Sequence, residues 1–551
     1  MRITFVATKK NADPSERELY EMDLVLRVLG FKRSFLDLGI QTVAACTPPG
    51  HDVRIVDEYL EPIDYAIDTD LVALSAKTSC VTHAYAVAKR FRAAGKKVVL
   101  GGIHASLRPD EALEHVDCVV TGEAETIWPE VVADAAKGQL KRRYDARGFP
   151  PMDGIPVPAW RASPTHEYLF HQLQTTRGCP FKCRFCSVPD ISGQDFRFKP
   201  VDQVIRELRA LPKAKGLVAR SKPLYVVDDN FISRTRYTKE LLRAMAPLSK
   251  RGEIPSWSAE TTLNCAADEE LLDLFQQAGC GTLIIGFESV TEATLEDMDK
   301  PVNFCLTYPE AVERIHARGM MVVGNFIVGF DTDTLDVFRQ TLSFIQETGI
   351  LYPFFSILTP MPGTKLFDDM KAKGRLDHER WELYDTRHVV FEPKQMRRDE
   401  LMDGYVWLYE KSYGSRLLWD RVERAWRRRR GKGSPLAEKL FISAKLAPEL
   451  ARGDRELRAF FAEGLKLLMN PRLGGDAAQL VSVLDSYDFS RFMRRFHTPR
   501  RAENYATFDD PRAVERRSAE VSEASELVMQ WENKKAVART KRSLPVLGDA
   551  K

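Results

Sequence analysis

The sequence of 551 residues predicts an α/β protein with a mainly helical carboxyl-terminal region. Three observations predict it. Short strand-like apolar runs alternate with helical segments over the first 140 residues, a second series of six such runs begins near residue 168, and the glycine-punctuated strand pattern stops after about 390. A chain of this length exceeds what one hydrophobic core serves, so more than one domain is expected.

The opening "RITFVAT" reads as a strand, and "VRIVDEY" (53–59), "LVALSAK" (71–77), "KVVLGG" (97–102) and "VDCVVTG" (116–122) repeat its character. Between the third and fourth, "HAYAVAKRFRAAGKK" carries apolar and basic residues at helical spacing and ends near Gly95. Strand–helix–strand spacing of this kind predicts a parallel sheet covered on both faces, placed at 1–140. Residues 141–168, rich in proline and glycine, read as a linker. The second series comprises "YLFHQLQTT" (168–176), "PLYVVDD" (223–229), "PSWSAET" (255–261), "GTLIIGFES" (281–289), "GMMVVGNFIVGF" (319–330) and "YPFFSIL" (352–358). Helical segments such as "VDQVIRELRAL" and "DEELLDLFQQAG" separate these runs. Six units over 169–390 predict a partial (β/α)6 barrel whose site lies at the strand carboxyl ends. The remainder, 391–551, is predicted helical, with a basic run "RVERAWRRRRGKG" (421–433) and fraying beyond 530.

Composition excludes some function classes. Hydrophobic residues make up 44% and charged residues 29%, and 81 basic against 78 acidic side chains leave a formal charge of +3. That balance gives no reason to expect nucleic acid. No apolar run is long enough for a signal peptide or a spanning helix, so a cytoplasmic protein is expected. Nine cysteines, an odd count with one cluster, argue against an extracellular disulfide framework.

That cluster is Cys179, Cys183 and Cys186, within "QTTRGCPFKCRFCSVPD". Thiolates favour zinc or iron–sulfur centres, and three of them in a loop can wrap one small cluster. Arg177, Gly178, Pro180 and Lys182 suggest a tight electropositive loop that favours thiolates. A four-iron cluster on three thiolates leaves one iron for another molecule. The alternative is a zinc site completed by a distant residue such as His171 or Cys280. Isolated Cys46, Cys118, Cys265 and Cys305 read as small buried hydrophobes.

The stretch "RGCPFKCRFC" resembles the signature of the radical S-adenosylmethionine enzymes. The resemblance implies a [4Fe–4S] cluster on Cys179, Cys183 and Cys186, with the amino and carboxylate groups of S-adenosylmethionine on the fourth iron. It further implies reductive cleavage to a 5′-deoxyadenosyl radical that abstracts a substrate hydrogen. On the family's strand-end pattern, "VVDDNF" brings Asp228, "WSAET" brings Glu260, "GFES" brings Glu288 and Ser289, and "GNFIVGFDTDT" brings Gly329. With Phe185 these are the expected S-adenosylmethionine contacts, Glu260 and Glu288 foremost; capping or salt bridges at the barrel top are the plainer alternative.

The first domain resembles the Rossmann-like cobalamin-binding domain that precedes the barrel in the cobalamin-dependent branch of that family. The matching turns are "LSAKTS" (74–79), "GGIHAS" (101–106) and "TGEAE" (121–125). They imply cobalamin contacts from Ser75, Thr78, Ser79, Gly101, Gly102, His104, Gly122 and Glu123, although a cofactor-free doubly wound domain would use similar glycines and His104 reads equally as a satisfied loop histidine. The Asp-x-His-x-x-Gly motif that ligates cobalt in methionine-synthase-like domains is absent, so no histidine is expected on the lower cobalt face.

Together these resemblances imply a methyltransferase that acts on an unactivated carbon of a small-molecule, lipid or natural-product substrate. Methylcobalamin would be the methyl donor and an external electron carrier such as flavodoxin or ferredoxin the reductant. Cyclisation, oxidation or ring rearrangement without methyl transfer is the alternative within the family, and a non-catalytic cobalamin or iron–sulfur protein is the alternative outside it. No protein general base is required and none is assigned. Tyr352, Tyr384 and Tyr405 read as core residues or as lining of the substrate space. The basic run at 421–433 reads as a solvated helix face, with peripheral contact to an anionic lipid, phosphorylated substrate or acidic protein as the alternative.

Overall fold

The structure, a computed structural model, describes residues 1–11, 22–146, 148–212, 222–298, 306–428 and 433–520. Cys305, the arginines at 429 and 430 of the basic run, and the stretch beyond 530 lie outside the described residues.

The amino-terminal sheet contains β1 (Arg2–Ala7), β2 (Asp52–Asp57), β3 (Leu71–Ser75), β4 (Lys97–Gly101), β5 (Cys118–Thr121) and β6 (Arg143–Asp145). All pair in parallel in the order β2-β1-β3-β4-β5-β6. The strand runs are almost continuously apolar because both faces are covered. One face (Phe5, Ala73, Val99, Val120) packs under the helices Leu38–Ala45 and Trp128–Ala136. The other (Val6, Val72, Leu74, Val98, Leu100) packs under Val81–Ala93. β6 falls inside the expected linker, so the sheet extends to Asp145 and the connection is shorter than the sequence suggested. Three residues are too few to show a strand period.

The second sheet also runs all parallel. Its strands are β7 (His171–Leu173), β10 (Leu224–Val226), β11 (Trp257–Thr261), β12 (Cys280–Glu288), β13 (Met321–Val328) and β14 (Tyr352–Ile357), side by side in chain order. Each expected strand run contains one of them. Between β7 and β10, β8 (Thr176–Arg177) and β9 (Arg197–Phe198) form a two-stranded antiparallel ribbon. Burial alternates strictly along β13, with one set of side chains under the outer helices and the other half-exposed toward an open lumen.

The carboxyl-terminal helices do not form a separate body. Helix Arg398–Tyr413 packs on β14, and helix Ala477–Met493 packs on helix Asp23–Leu29 from the amino-terminal region, all within one hydrophobic core. Asp485 accepts the Leu24 N–H at 2.6 Å. The segment after β14 is similarly shared, since Phe367, Trp381, Tyr384 and Val390 complete the second face of the amino-terminal sheet. Within the basic run, Arg421 and Trp426 are buried, and the Arg421 guanidinium donates at 2.6 Å to the Ser412 carbonyl, in the last turn of helix Arg398–Tyr413. The solvated-face reading therefore fails at these two positions.

Helix Arg398–Tyr413 approaches its neighbour at Gly404, where an added Cβ would stand 2.2 Å from the Phe338 ring. Gly404→Ala gains about 1 kcal/mol of helix propensity. The forced displacement of a packed ring costs roughly 1–3 kcal/mol or more. We expect a lower melting temperature with unchanged helical circular dichroism, measured by thermal denaturation.

Candidate active site

A cavity of about 770 Å³ joins the two sheets. On the amino-terminal side it is lined by Ser75, Gly101, Gly102, Gly122 and Glu123, all at strand carboxyl ends. It continues as an apolar slot between the sheet face (Phe5, Ala73, Val99, Val120) and Ile40, Val43 and Trp128. On the barrel side it meets Gln174, Arg177, Asp229 and Glu260 at the strand ends and descends the lumen past Ser258, Ile284 and Asn325.

The cysteine loop sits on the rim, between the cavity-lining residues Arg177 and Ile191. Gly178 makes its entry possible: φ is 90°, and a Cβ there would lie 2.5 Å from the Asp195 carbonyl oxygen. Its N–H donates to Asp229 at 2.9 Å. The Cys186 thiol lies within electrostatic range of Cys179 and Cys183, and the Cys186 N–H donates to the Cys183 carbonyl at 3.0 Å. Burial pushes the Cys186 thiol up to about 12, with Val188 opposing the shift and the neighbouring Cys183, Cys179 and Glu288 adding to it. A thiol that burial holds protonated becomes a thiolate when a cation arrives to neutralise it. Among the described residues no three His, Cys, Asp or Glu side chains converge on one metal ion. Three thiols ranged along a loop suit the corners of an iron–sulfur cube. The zinc alternative also fails on placement. His171 opens β7 and Cys280 opens β12, at the opposite strand ends from the loop.

The expected S-adenosylmethionine contacts divide. Glu260 lines the cavity, is half-buried, and accepts the Tyr225 hydroxyl at 2.5 Å. Burial raises its carboxyl above the ordinary range, and the nearby Asp229 and Glu288 charges push the same way. Glu288 ends β12 at an irregularity in the strand register, with φ 60°. A side chain in this left-handed region is held there by its surroundings. Phe185 is half-buried edge-on to Phe330, with centroids 6.0 Å apart. The other three positions face elsewhere. Asp228 accepts from the Thr175 and Thr176 N–H groups at 2.6 and 3.0 Å and from the Thr175 hydroxyl, so it fastens the chain ahead of the cysteines. Its neighbour Asp229 is the residue that reaches the cavity. Ser289 is buried against Thr291, and the space beside Gly329 is filled by Leu401.

Of the expected cobalamin residues, Ser75, Gly101, Gly102, Gly122 and Glu123 line the cavity. At Gly102, φ is 92° and a Cβ would meet Ser75 Oγ at 2.8 Å. His104 is not presented there. It is fully buried, with Nδ1 3.3 Å from the Thr78 hydroxyl and Nε2 3.3 Å from Glu111. Thr78 is committed to that bond, and Ser79 lies beside Cys80 rather than on the cavity wall. Glu123 turns toward the barrel, accepting from Arg177 at 2.8 Å and from Arg197 at 2.5 and 2.8 Å. Glu125 takes the other Arg177 nitrogen. The charge expected to make the loop electropositive is thus matched by carboxylates. Among the described residues lining the cavity there is no histidine.

Sequence reasoning missed the deep end of the cavity, where Tyr409 and Tyr413 of one carboxyl-terminal helix and Ser482, Asp485, Ser486 and Phe489 of another line the wall. Helix Ala477–Met493 has apolar residues around much of its circumference, an accessible sign of a helix buried on several sides. Tyr352 lines the same region, whereas Tyr384 and Tyr405 are core. The hydroxyls of Tyr352, Tyr409 and Tyr413 donate to the carbonyls of Gln479, Phe355 and Pro353 at 3.3, 3.0 and 2.8 Å.

Residues 173–345 match the Radical SAM superfamily and 26–132 the B12 binding domain. The chain is 33% identical over 430 residues to bacteriochlorophyllide d C-12(1)-methyltransferase of Chlorobaculum tepidum, spanning 75% of this chain and 90% of that protein. It is 29% identical over 351 residues to hopanoid C-2 methylase of Rhodopseudomonas palustris, spanning 62% and 65%. The fold is like that of the cobalamin-dependent S-adenosylmethionine radical enzyme OxsB, with TM-score 0.57 and 14% identity over 100% of this chain and 82% of that one.

Burial raises the Asp228 carboxyl to about 6 from an ordinary 3.8, against the pull of its Thr175 and Thr176 donors. The folded state therefore binds the proton more tightly than the unfolded chain. The cost of the buried charge is fully present above pH 6 and is relieved as pH falls from 6 toward 3.8. Asp228→Asn removes this titration. The variant should lose ground to wild type by roughly 1 kcal/mol per pH unit between pH 6 and 4 and keep a constant difference above pH 6.5. Paired urea melts across that range measure it.

Proposed function

The chain belongs to the cobalamin-dependent radical S-adenosylmethionine enzymes, and on that premise we propose that it methylates an unactivated carbon of a largely hydrocarbon small molecule. One observation carries the reading: a single cavity runs from the amino-terminal sheet, past the cysteine loop, into the barrel. A substrate in the lumen would be reached by both cofactors without leaving the enclosure. When bound, the [4Fe–4S] cluster and S-adenosylmethionine supply a 5′-deoxyadenosyl radical, and methylcobalamin supplies the methyl group.

The chain's own residues bind, orient and exclude water. Cys179, Cys183 and Cys186 would ligate the cluster as thiolates, with the Cys186 N–H to Cys183 carbonyl bond tightening the loop between them. Asp229, Glu260 and Glu288 form an acidic corner beside the loop, suited to an ammonium or sulfonium group and to ribose hydroxyls. Ser75, Gly101, Gly102 and Gly122 would border the corrin, and the slot under Trp128 suits a flat aromatic nucleotide base. Residues 1–146 would be the cobalamin-binding unit and 169–390 the radical barrel, with the later helices closing the substrate space.

The deep wall supports the substrate class. Its tyrosines spend their hydroxyls on main-chain carbonyls and present rings to the cavity. Arg177 is neutralised, so among the described lining residues Lys77 is the remaining cation. This favours a polycyclic or isoprenoid skeleton with few negative charges, in keeping with relatives that act on a bacteriochlorophyllide and a hopanoid. The chemistry needs an external reductant, for which we propose flavodoxin or ferredoxin, and a cytoplasmic setting; among the described residues no helix is long and apolar enough to cross a membrane.

The test is methyl-labelled S-adenosylmethionine with a hopanoid and a bacteriochlorophyllide as separate substrates. Label on a product carbon is expected. Substrate-dependent 5′-deoxyadenosine with an unlabelled product would replace methyl transfer by cyclisation or oxidation. The slot makes its own prediction. Ala73→Phe should fill it, lowering bound corrinoid at least tenfold by absorbance while leaving the iron content at that of wild type reconstituted without a corrinoid.

A further inference from the structure

Arg177 and Arg197 are paired residues of β8 and β9, the ribbon that forms the neck of the cysteine loop. Both grip Glu123, Arg177 also holds Glu125, and all four side chains are about nine-tenths buried. The ribbon is pinned from within as well. Arg177 Nε donates to Gln174 at 2.8 Å, and Arg197 donates to the carbonyls of Pro150 at 2.8 Å and Ser192 at 2.6 Å. Glu123 and Glu125 sit in the turn that follows β5, and that same turn lines the amino-terminal part of the cavity. One face of a short turn thus borders the corrinoid space, while its carboxylates hold both ends of the loop that carries Cys179, Cys183 and Cys186.

We propose that this ion-pair cluster couples the two cofactor sites: Arg177, Arg197, Glu123 and Glu125 are positioning residues through which an occupied cobalamin turn stabilises the cysteine loop and sets the charge around its cluster. The proposal rests on the reading above of which residues hold the cluster and the corrinoid. Coupling of this kind is reciprocal, so a loaded cluster should also favour corrinoid binding. The charge bookkeeping gives a direction. Two cations meet two anions; removing one carboxylate leaves net positive charge beside the loop, which favours the more negative, reduced state of a cluster.

The experiment uses the full-length protein, reconstituted anaerobically with iron and sulfide, with and without hydroxocobalamin. Iron retained after gel filtration is read by colorimetry, corrinoid by absorbance, and the midpoint potential by redox titration followed by electron paramagnetic resonance. Wild type should retain at least twofold more iron with the corrinoid present. Glu125→Gln should abolish that twofold difference and shift the midpoint potential upward, and Glu125→Asp should restore both in part. Equal iron retention by wild type in the two states overturns the proposal, as does an unchanged potential in Glu125→Gln. Wild type that binds neither cofactor overturns the underlying reading instead, and the wild-type arm stands alone should a variant fail to fold.

Discussion

Everything in this molecule depends on two parallel sheets whose strand carboxyl ends face each other across one cavity. Parallel sheets gather their variable loops at one end, so a site built from both domains requires those ends to face each other. Burying the Arg177, Arg197, Glu123 and Glu125 charges holds that apposition at its centre. Such a cluster is weak evidence for net stability, because desolvation offsets much of the attraction, but losing one partner typically costs about 3–5 kcal/mol. The interface is therefore selective for a single docking geometry. Two further ties lie away from the cavity: Lys10 with Asp385 at 2.5 Å, and Arg108 with Glu379 at 2.6 Å. Trp381, which donates to Glu111 at 2.9 Å, packs the post-barrel segment onto the amino-terminal sheet.

The elements of both sheets were legible because buried parallel strands have a strong local signature, short apolar runs with glycine at the exit. β6 was not, since three residues of which only Tyr144 is buried carry no pattern. The cysteine loop was legible for a different reason: all of its chemistry lies within eight residues, 179–186. What failed was whatever one register step or a distant partner decides. Asp228 and Asp229 are adjacent, and successive side chains at a strand exit point to opposite sides, so one fastens the loop and the other reaches the cavity. His104 looked available because Trp381, which packs on it, lies far along the chain, and the Glu111 contact depends on how the intervening helices turn. Arg177 looked like a free positive charge because its two carboxylates lie more than 50 residues upstream.

The carboxyl-terminal helices change what the barrel can accept. A six-stranded partial barrel has two edge strands, here β7 and β14, and its lumen is open along the seam between them. Helix Arg398–Tyr413 packs on β14, and the cavity wall there adds Tyr409, Tyr413 and Phe489 to the strand residues Tyr352 and Phe354. Phenol rings whose hydroxyls are satisfied by main chain offer broad apolar contact without an unmet donor. Under the proposed function, selectivity for a ring skeleton would arise from shape, the wall limiting how far a substrate could slide.

The acidic corner explains why this end of the site stays poised for a cation. Burial is the largest cause that raises the Asp229 and Glu260 carboxyls, and each neighbouring carboxylate that ionises makes the next more costly. A ligand that brings an ammonium or sulfonium into the corner replaces the missing countercharge, so binding and carboxyl ionisation strengthen together. At the other end the rings of Tyr409, Tyr413 and Phe489 dominate, and the Asp485 carboxylate there already accepts from the Leu24 and Val25 N–H groups. Under the proposed function, charge would sort the two small molecules within one cavity, the cationic one beside the cysteine loop and an apolar one against the tyrosines. Asp229, Glu260 and Glu288 would then hold the charged cofactor between the cluster loop and the substrate.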